Sequence, residues 1–416
     1  MRKLHTTLMT ALAAGAAMVV ALAGCGGSSA SSSGSSSSSF VLGGLFPQTG
    51  SLAYLGPAEI AAYKLATKDI NAAGGVLGKQ ITTAMADTSD ADHAEQNTSG
   101  AESVLGKNPS VIIGPPSSSV VKNVYKEITE AKVPMISNGA TSTNFSGLSP
   151  YFFRTVPPDT VQGAVLGSVI AQDGVQKLAI AVFNDEYGTS LRDVVAKTVQ
   201  AAGTKVVYGE KDTFDPTETN FSSMVTAIKA TSPDAVLVIA FDQTKALVKE
   251  LSAQGIDTHK LYMVDGNTAD YSSAFDAGLL KGTTGTIPGA HASDTFQGRL
   301  KAIDGKLTDF TYAAETYDAA VLAALAAQKG GKTDGATVQK DLAAVSGEQG
   351  GTSCTSYQAC LTLLKSGKSI AYSGQSGVGP FNSDNDPSTA NIGVYKFNES
   401  NKPIFDHAQK GTVPKK

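Results

Sequence analysis

The stretch that decides the fold is residues 111–119, VIIGPPSSS. Its β-branched start, residues 111–113, is typical of a strand that is buried on both faces of a parallel sheet. Gly114 and the two prolines end this strand, and residues 120–131 form a helical pattern behind the serines. In an open α/β sheet, a loop at the carboxyl end of a strand faces the ligand crevice. We therefore predict an α/β fold with a ligand site at this loop.

The three serines of this loop, residues 117–119, allow two interpretations. A helix start offers unpaired backbone N–H groups and the positive end of the helix dipole, and the hydroxyl groups add further donors. This combination suits a small carboxylate. Alternatively, the serines only cap the helix. Both interpretations stay open on the loop alone.

On both sides of this loop, apolar strand-like runs alternate with helical patterns, which predicts doubly wound sheets with parallel strands. The first unit has predicted strands at 40–46, 81–86, 111–113 and 133–136, with helices beginning at Pro57 and covering 91–105 and 120–131. The second unit has predicted strands at 178–183, 206–209, 235–240 and 261–264, and helices at 161–171, 191–201, 221–230 and 244–253. Two α/β units of similar size therefore follow one another, without a repeat in sequence.

The remainder of the chain belongs simply to neither unit. Residues 312–328 predict a long Ala-rich helix, and residues 338–345 predict a shorter one. Residues 379–381 and 392–397 predict a closing hairpin. A helical segment after two complete sheets suggests that the chain crosses back to the first lobe.

Composition limits the classes of function. The chain has 416 residues, of which 41% are hydrophobic and 17% charged, so it can bury a large core and is expected to form at least two domains. Its formal net charge is −4 and it has no basic block. Nucleic acid is therefore not an expected partner.

The amino terminus resembles an export signal. Arg2 and Lys3 precede an apolar run at residues 11–23, which is short for a membrane span and typical of a signal-peptide core. The run ends in LAGC at residues 22–25, which resembles the bacterial lipoprotein box, in which the cysteine carries a lipid anchor. The alternative is an ordinary secretory signal followed by an incidental Cys25. Residues 26–39 are almost entirely Gly and Ser and predict a flexible tether.

Cys354 and Cys360 are the other two cysteines of the chain. In an exported protein, such a pair indicates a local disulfide rather than a metal or redox site.

Catalytic motifs are mostly lacking in the sequence. It contains no G-x-S-x-G and no H-E-x-x-H, and its five histidines are scattered. The Gly367-Lys368-Ser369 triplet is preceded by Thr362 where a phosphate-binding loop needs its first glycine. Asp384 and Asp386 are spaced as in a calcium loop, but Thr389 replaces the required glycine and Tyr395 the final glutamate. We interpret residues 384–386 as a polar turn, and we expect no cofactor and no metal.

Polar and aromatic residues instead follow the predicted strands directly. They are Ser118, Gly139-Ala140-Thr141, Asp185-Glu186-Tyr187, Phe241-Asp242 and Asp265-Gly266-Asn267. If the two lobes face each other, hydroxyl donors on one oppose carboxylates and aromatic rings on the other. A zwitterion needs both, because N–H and O–H groups bind its carboxylate and an anionic acceptor binds its ammonium. Each residue alone also fits a cap, a turn or a solvated acid.

The order of several short motifs resembles that of the branched-chain amino-acid binding proteins of ABC importers, which have the type I periplasmic-binding fold. The resemblance covers residues 40 to about 405. The motifs that carry it are Thr49-Gly50, Ile70-Asn71-Ala72-Ala73-Gly74-Gly75, Ile113-Gly114-Pro115 with its serines, Ser137-Asn138-Gly139-Ala140-Thr141-Ser142, Tyr151-Phe152-Phe153-Arg154-Thr155 and Asn184-Asp185-Glu186-Tyr187-Gly188.

This resemblance implies a role for individual residues. Ser118 and Thr141 would bind the carboxylate of an amino acid, whereas the backbone carbonyl of Gly139 and the acid Asp265 would hold its ammonium. The residues that would surround the rest of the ligand are Tyr187 from the second lobe, Tyr54 and Leu55 over the side chain, and Phe241 and Asp242 at the edge. The sequence departs from the family at Phe241-Asp242, where classical leucine receptors have aromatic residues, and at Asp265, where a glutamate is usual.

The resemblance also implies two lobes, joined by three crossovers, that close on the ligand and deliver it to a membrane permease. The expected organisation is a signal peptide at 1–24, a lipidated Cys25 with a tether to 39, a first lobe at 40–156 and 287–385, and a second lobe at 157–286 and 386–416. We expect a monomeric receptor, lipid-anchored to the outer face of the bacterial cytoplasmic membrane, that has no catalytic activity. A receptor for urea, short amides or another small organic acid is the alternative, and an enzyme of the cell envelope is a more distant one.

Overall fold

The computed structural model describes residues 39–377 and 379–413. The expected signal peptide, Cys25 and the tether up to residue 38 lie outside the described residues. Within the described ranges, no helix combines the length and the apolar character needed to span a bilayer.

The first half of the chain forms a five-stranded sheet in the order β2-β1-β3-β4-β5, in which all neighbouring strands run parallel. A single 3-10 turn at Thr143–Phe145 precedes its last strand. The elements are β1 (Val41–Phe46), α1 (Gly56–Ala72), β2 (Thr82–Asp87), α2 (Ala94–Leu105), β3 (Val111–Ile113), α3 (Ser118–Glu130), β4 (Met135–Ser137) and β5 (Phe152–Arg154).

The strand β3 shows why this sheet is covered on both faces. Val111 and Ile113 belong to the apolar core that includes α1, whereas Ile112 belongs to the core that includes α2 and α3. All three side chains are fully buried. Since successive side chains of a strand point to opposite faces, an uninterrupted β-branched run is what a sheet between two helix layers requires.

The chain then builds a second sheet. Its elements up to the next crossover are α4 (Asp159–Gln172), β6 (Lys177–Val182), α5 (Glu186–Ala201), β7 (Lys205–Tyr208), α6 (Ser222–Ala230), β8 (Ala235–Ile239), α7 (Thr244–Ala253), the 3-10 turn Thr258–Lys260, β9 (Leu261–Met263) and β10 (Thr284–Pro288). The later elements are α8 (Asp294–Lys301), α9 (Ala313–Gly330), α10 (Gly335–Val345), β11 (Thr352–Cys354), α11 (Tyr357–Lys365), β12 (Ile370–Tyr372), β13 (Thr389–Phe397) and β14 (Pro403–Thr412).

The second sheet has seven strands in the order β14-β13-β10-β9-β8-β6-β7. The neighbouring strands β7, β6, β8, β9 and β10 run parallel, and β13 and β14 extend the sheet beyond β10 as antiparallel strands. The chain therefore passes between the two sheets three times: from β5 to α4, from β10 to α8 and from β12 to β13. These are parallel central sheets with helices on their faces and three crossovers, as the sequence predicted.

The helices after the second crossover return to the first sheet. The long helix α9 packs against α1 and against α10, and its alanines lie in the same core as Phe40, Ile113 and Ile136 of the first sheet. Beside this helix, Cys354 at the end of β11 and Cys360 in α11 form the predicted disulfide, with Cα atoms 5.4 Å apart.

The predicted closing hairpin was wrong in its partners. Phe381 forms an isolated bridge with Pro387, whereas β13, which contains the predicted residues 392–397, pairs with β14. The turn between them is closed by Asn398, whose side chain accepts hydrogen bonds from the backbone N–H groups of residues 400 and 402. The strand β14 has no fully buried residue, so it lacked the apolar run by which the other strands were recognised.

Candidate functional site

The candidate site lies where loops from the two sheets meet. The loops after β3 and β4 come from the first sheet, and the loops after β6, β8 and β9 come from the second. They surround a narrow cavity of about 20 Å³, well below the range of about 300–1,000 Å³ common for ligand pockets. The site is therefore nearly closed in this structure. The lining residues are Leu52, Leu55, Pro116, Ser117, Ser118, Gly139, Tyr187, Phe241, Asp265, Gly266 and Tyr312.

Asp265 is the acid of this cavity, and the residue is only 5% exposed. Its Oδ1 accepts hydrogen bonds from Gln162 Nε2 at 2.8 Å and from Tyr187 Oη at 2.6 Å, and its Oδ2 accepts one from the hydroxyl of Tyr312. All three donors are neutral. Burial raises the pKa of Asp265, although these donors oppose the shift. A buried carboxylate whose protein partners are all neutral favours a cationic group on the ligand.

The serine loop presents its three hydroxyl groups to three different partners. Ser117 is the N-cap of α3, because its Oγ accepts a hydrogen bond from the N–H of Val120 at 3.3 Å. Ser118 lines the cavity and its Oγ accepts from Ser142 N at 3.3 Å. Ser119 donates to Asp185 of the second sheet. Capping is therefore the role of the first serine, and the second has its hydroxyl hydrogen available for a ligand.

Two buried polar groups beside the cavity have unused bonding capacity. Neither Oγ1 of Thr141 nor either carboxylate oxygen of Asp159 has a hydrogen-bond partner among the described residues, and both residues are fully buried. Burial raises the pKa of Asp159 to about 7, and the negative charge of Asp265 adds to this shift, whereas the nearby hydroxyls of Ser190 and Thr141 oppose it. Buried polar groups are normally paired, so a polar ligand group can satisfy those next to the cavity.

An apolar wall completes the cavity. The rings of Tyr187 and Phe241 are stacked, with centroids 5.6 Å apart and an angle of 6° between their planes. Leu52 and Leu55 belong to one small apolar cluster with Tyr312, and Phe241 packs against this cluster. Such a wall favours an apolar ligand side chain.

Several hydrogen bonds cross from one half of the chain to the other. Tyr54 Oη donates to the carbonyl oxygen of Gly266 at 2.9 Å. Ser119 Oγ donates to Asp185 Oδ2 at 2.5 Å. Glu186 Oε1 accepts from Ser142 Oγ at 3.0 Å. The two halves are therefore in direct contact around the cavity.

The structure brings most of the predicted site residues together. Six of the nine line the cavity: Ser118, Gly139, Tyr187, Asp265, Leu55 and Phe241. Thr141 and Tyr54 lie next to it. Asp242 does not reach it, because its side chain is 60% exposed and pairs with Lys245 one turn along α7. Since the ring of Phe241 turns inward onto Tyr187, the following residue points out to solvent.

Three polar residues of the site were missed in the sequence. Gln162 lies inside the predicted helix α4, and Asp159 resembled an ordinary acid in the first turn of that helix. Tyr312 precedes α9 with a left-handed backbone, φ 60°, and its hydroxyl reaches Asp265 from a segment outside both predicted units. The one available signal was its position as a tyrosine at the start of a strongly apolar helix.

A model of the family described as periplasmic binding protein matches residues 39–357. The chain belongs to the periplasmic binding protein family. This periplasmic binding protein is 31% identical to the Leu/Ile/Val-binding protein BraC3 of Rhizobium johnstonii over 200 residues, which are 47% of this chain and 53% of that protein. It is 28% identical to the leucine-, isoleucine-, valine-, threonine- and alanine-binding protein of Pseudomonas aeruginosa over 306 residues, 72% of this chain and 80% of that one. The chain thus spans about half the length of the first relative.

Solved structures share the fold of this periplasmic binding protein. The branched-chain amino acid transporter substrate binding protein LivJ of Streptococcus pneumoniae, in complex with isoleucine, has a TM-score of 0.73 at 21% identity, with 90% of this chain and 100% of that one covered. A solute binding protein of an ABC transporter of R. palustris, in complex with 4-hydroxybenzoate, has a TM-score of 0.73 at 20% identity, with 91% and 98% covered. Of these two proteins, one holds an amino acid and the other an aromatic acid on the same fold.

Metal-binding side chains are not grouped in the part of the chain that the structure describes. Over residues 39–377 and 379–413, no cluster of three or more His, Cys, Asp or Glu side chains could hold a metal ion.

Proposed function

We propose that this periplasmic binding protein is the extracytoplasmic receptor of an ABC importer and that it binds an amino acid with an apolar side chain between its two lobes. It delivers this ligand to permease subunits in the membrane and has no catalytic activity. The observation that carries the proposal is Asp265, a buried acid in the cavity whose partners are neutral, facing hydroxyl donors on the other sheet. Curated relatives named for leucine, isoleucine and valine support it.

In the proposed complex, the carboxylate and the ammonium of the ligand face opposite sides of the cavity. Its carboxylate binds the hydroxyls of Ser118 and Thr141, and its ammonium binds Asp265 and the backbone carbonyl of Gly139. Charge-assisted hydrogen bonds of this kind are about twice as strong as neutral ones.

The ligand's side chain would lie against the apolar wall. This wall is continuous, because Phe241 stacks on Tyr187 and also packs against the cluster that contains Leu52 and Leu55. Burying a leucine-sized side chain contributes about 1.5–3 kcal/mol. Asp242 has no part in this proposal, because its carboxylate is exposed and paired with Lys245.

We propose that residues 40–156 with 287–385, and residues 157–286 with 386–416, act as two lobes that close around the ligand by bending at the crossovers. The hydrogen bonds of Ser119 and Tyr54 across the cavity support this division, since they join one proposed lobe to the other. The protein acts as a monomer in this proposal.

We further propose that the receptor is held at the outer face of the cytoplasmic membrane by a lipid on Cys25. The Gly/Ser tether at residues 26–39 would let the folded part turn freely, with a typical reach of roughly 20 Å. Support comes from the sequence alone, because LAGC at residues 22–25 ends an apolar run.

An aromatic acid is the second candidate ligand, within the class of small organic acids. The stacked rings of Tyr187 and Phe241 and the hydroxyl of Tyr312 favour it. Such a ligand has no ammonium, so Asp265 would bind it only in the protonated form that its raised pKa allows. Urea and short amides are uncharged, and their N–H groups can donate to Asp265 in its ionised form.

A thermal-shift screen of amino acids, aromatic acids and short amides tests the proposal. A ligand at a hundredfold excess over its Kd stabilises the folded protein by about 2.7 kcal/mol. We expect leucine, isoleucine and valine to raise Tm by several degrees, and benzoate and urea to leave it unchanged. If benzoate or urea stabilises the protein and the amino acids do not, the ligand is an aromatic acid or a short amide and the proposal is wrong.

A further inference from the structure

Arg154, the last residue of β5, has a fully buried side chain. Its Nε and Nη2 donate to the two carboxylate oxygens of Asp386 at 2.5 and 3.0 Å. Its Nη2 also donates to Ser146 Oγ at 2.9 Å, and its Nη1 donates to the carbonyl oxygens of Ala140 and Ser142 at 3.1 and 2.8 Å. A guanidinium has five N–H groups, so every donor of this side chain has a partner.

The two carbonyl groups bound by Arg154 lie on either side of Thr141. The same short segment is held at two further points: the carbonyl of Thr141 accepts from the N–H of Asp159 at 2.8 Å, and the N–H of Ser142 donates to Ser118 Oγ at 3.3 Å. The Oγ1 of Thr141 has no hydrogen-bond partner among the described residues, and it lies close enough to the carboxyl of Asp159 to oppose the rise in its pKa. The guanidinium therefore fixes the backbone on both sides of Thr141, next to Gly139 of the cavity lining.

Asp386 lies on the third crossover, between β12 and β13. Its turn is closed by Asn382, whose Oδ1 accepts from the N–H groups of Asp384 and Asp386 at 2.9 and 3.1 Å. The turn is joined to the first sheet by a hydrogen bond from Arg154 N to the carbonyl of Asn385 at 3.3 Å. The residues that resembled a degenerate calcium loop thus form a fixed turn that supplies a buried counter-ion.

We propose that Arg154 is a positioning residue for the ligand carboxylate, and that its pair with Asp386 lets the third crossover set the backbone of residues 140–142. This inference rests on the proposed function, because it assigns Thr141 to the carboxylate. In this arrangement, the segment that links the lobes also holds one wall of the binding site. A change at Asp386 then alters the affinity for the ligand, although Asp386 does not contact the ligand.

The pair can be tested with Asp386→Asn, which keeps the shape of the side chain and removes its charge. We expect the Kd for L-leucine to rise about tenfold or more, since a small misplacement of a positioned group is costly. Asp341→Asn is the matched control: this acid is also mostly buried and pairs with Lys329 between α10 and α9, away from the cavity lining. It is expected to lower Tm and leave the Kd unchanged.

A double-mutant cycle distinguishes positioning from general stabilisation. Thr141→Val alone should raise the Kd for L-leucine roughly 10- to 150-fold. If Arg154 acts through Thr141, then Asp386→Asn adds little in the Thr141→Val background. In the Tyr187→Phe background, a change on the other lobe, Asp386→Asn should raise the Kd by the same factor as in the wild-type protein. The same factor in the Thr141→Val background as well would overturn the inference.

The milder variant Ser146→Ala covers the case in which Asp386→Asn does not fold, because it removes one hydroxyl from the same cluster. It should show the same non-additivity with Thr141→Val, with a smaller effect of its own. An unchanged Kd in Ser146→Ala or in a folded Asp386→Asn protein would overturn the inference alone. Absence of L-leucine binding by the wild-type protein would overturn the proposed function, and the inference with it.

Discussion

Ser119, in the first turn of α3, donates a hydrogen bond to the buried carboxylate of Asp185, the N-cap of α5, with 2.5 Å between the two oxygens. Ser119 follows a strand of the first sheet, and Asp185 follows a strand of the second. Next to them, Glu186 accepts hydrogen bonds from Lys122 Nζ at 2.9 Å and Asn144 Nδ2 at 2.6 Å, and these contacts lower its pKa against the effect of burial. We call Ser119, Lys122, Asn144, Asp185 and Glu186 the rim cluster. Its hydrogen bonds form only while the two halves of the chain are in contact.

The rim cluster is expected to favour the closed form. Glu186→Ala removes the acceptor of several hydrogen bonds between the lobes, and after allowance for its partial exposure to solvent this should cost about 1–2 kcal/mol, or roughly 5- to 30-fold in Kd. Stopped-flow measurements should show the loss mainly as faster dissociation of leucine. The control is Asp193→Ala, because this acid pairs with Arg192 on its own helix. Equal dissociation rates in the two variants would show that the cluster does not stabilise closure.

The two charged ends of the ligand should respond differently to mutation. Asp265→Asn keeps the shape of the side chain and leaves the ligand ammonium without a counter-ion, which typically costs about 2–5 kcal/mol, or roughly 30- to 5,000-fold in Kd. Ser118→Ala removes one hydroxyl donor to a charged group and should cost about 1.5–3 kcal/mol. Calorimetric titration with leucine should therefore rank Asp265→Asn as the more damaging change. The reverse order would indicate a neutral amide ligand.

The free energy of unfolding should depend on pH through two buried acids. Burial raises the pKa of Glu59 from 4.5 to about 8, a shift that a hydrogen bond from Asn138 opposes, and burial raises that of Asp159 from 3.8 to about 7. At a pH between the ordinary pKa of each acid and its raised pKa, the folded protein holds a proton that the unfolded chain has lost. The folded state therefore loses stability as pH rises from about 4 to about 8, by up to about 1.4 kcal/mol per pH unit for each group.

This pH dependence can be measured by chemical unfolding of the ligand-free protein at pH 5.5, 6.5, 7.5 and 8.5. Glu59→Gln should flatten the decline up to pH 8, and Asp159→Asn should flatten it below pH 7. Glu102→Gln, at a carboxyl on the exposed side of α2, serves as the control and should leave the slope as in the wild type. A stability that rises over this range would contradict the assignment of both acids as protonated when buried.

Reduction of the disulfide between Cys354 and Cys360 should affect stability and leave binding intact. The bridge closes a short loop of sequence separation 6, so its contribution is on the order of 2 kcal/mol or less. Neither cysteine lines the cavity. We expect a small fall in Tm with dithiothreitol and an unchanged Kd for leucine. Loss of leucine binding on reduction would place the bridge in the binding machinery.

Much of the fold could be predicted because buried parallel strands have a strong sequence signal. Residues 111–113 and 235–239 are uninterrupted apolar runs, and both are central strands in the structure. The edge strand β14 has alternating polar residues and no fully buried side chain, so its pattern is weak. The partner of a strand in an antiparallel pair depends on contacts that a local pattern does not contain.

The candidate site could be predicted where a residue directly follows a strand. Ser118 and Asp265 reach the cavity for this reason, since the carboxyl ends of parallel strands meet at one edge. The same rule failed for Asp242, because Phe241 turns inward onto Tyr187 whereas the carboxylate of Asp242 is exposed and pairs with Lys245. Tyr312 and Gln162 reach Asp265 from a crossover and from a helix, and their positions depend on the packing of distant segments.

The central claim is that the cavity binds an amino acid through its ammonium group, and one comparison tests it most directly. Isothermal titration of the wild-type protein with L-leucine and with 4-methylpentanoate compares two ligands that share a side chain and a carboxylate but differ in the ammonium. If Asp265 binds that group, loss of a buried charge pair should weaken binding of 4-methylpentanoate by about 30-fold or more. Equal affinity for the two ligands would contradict the account.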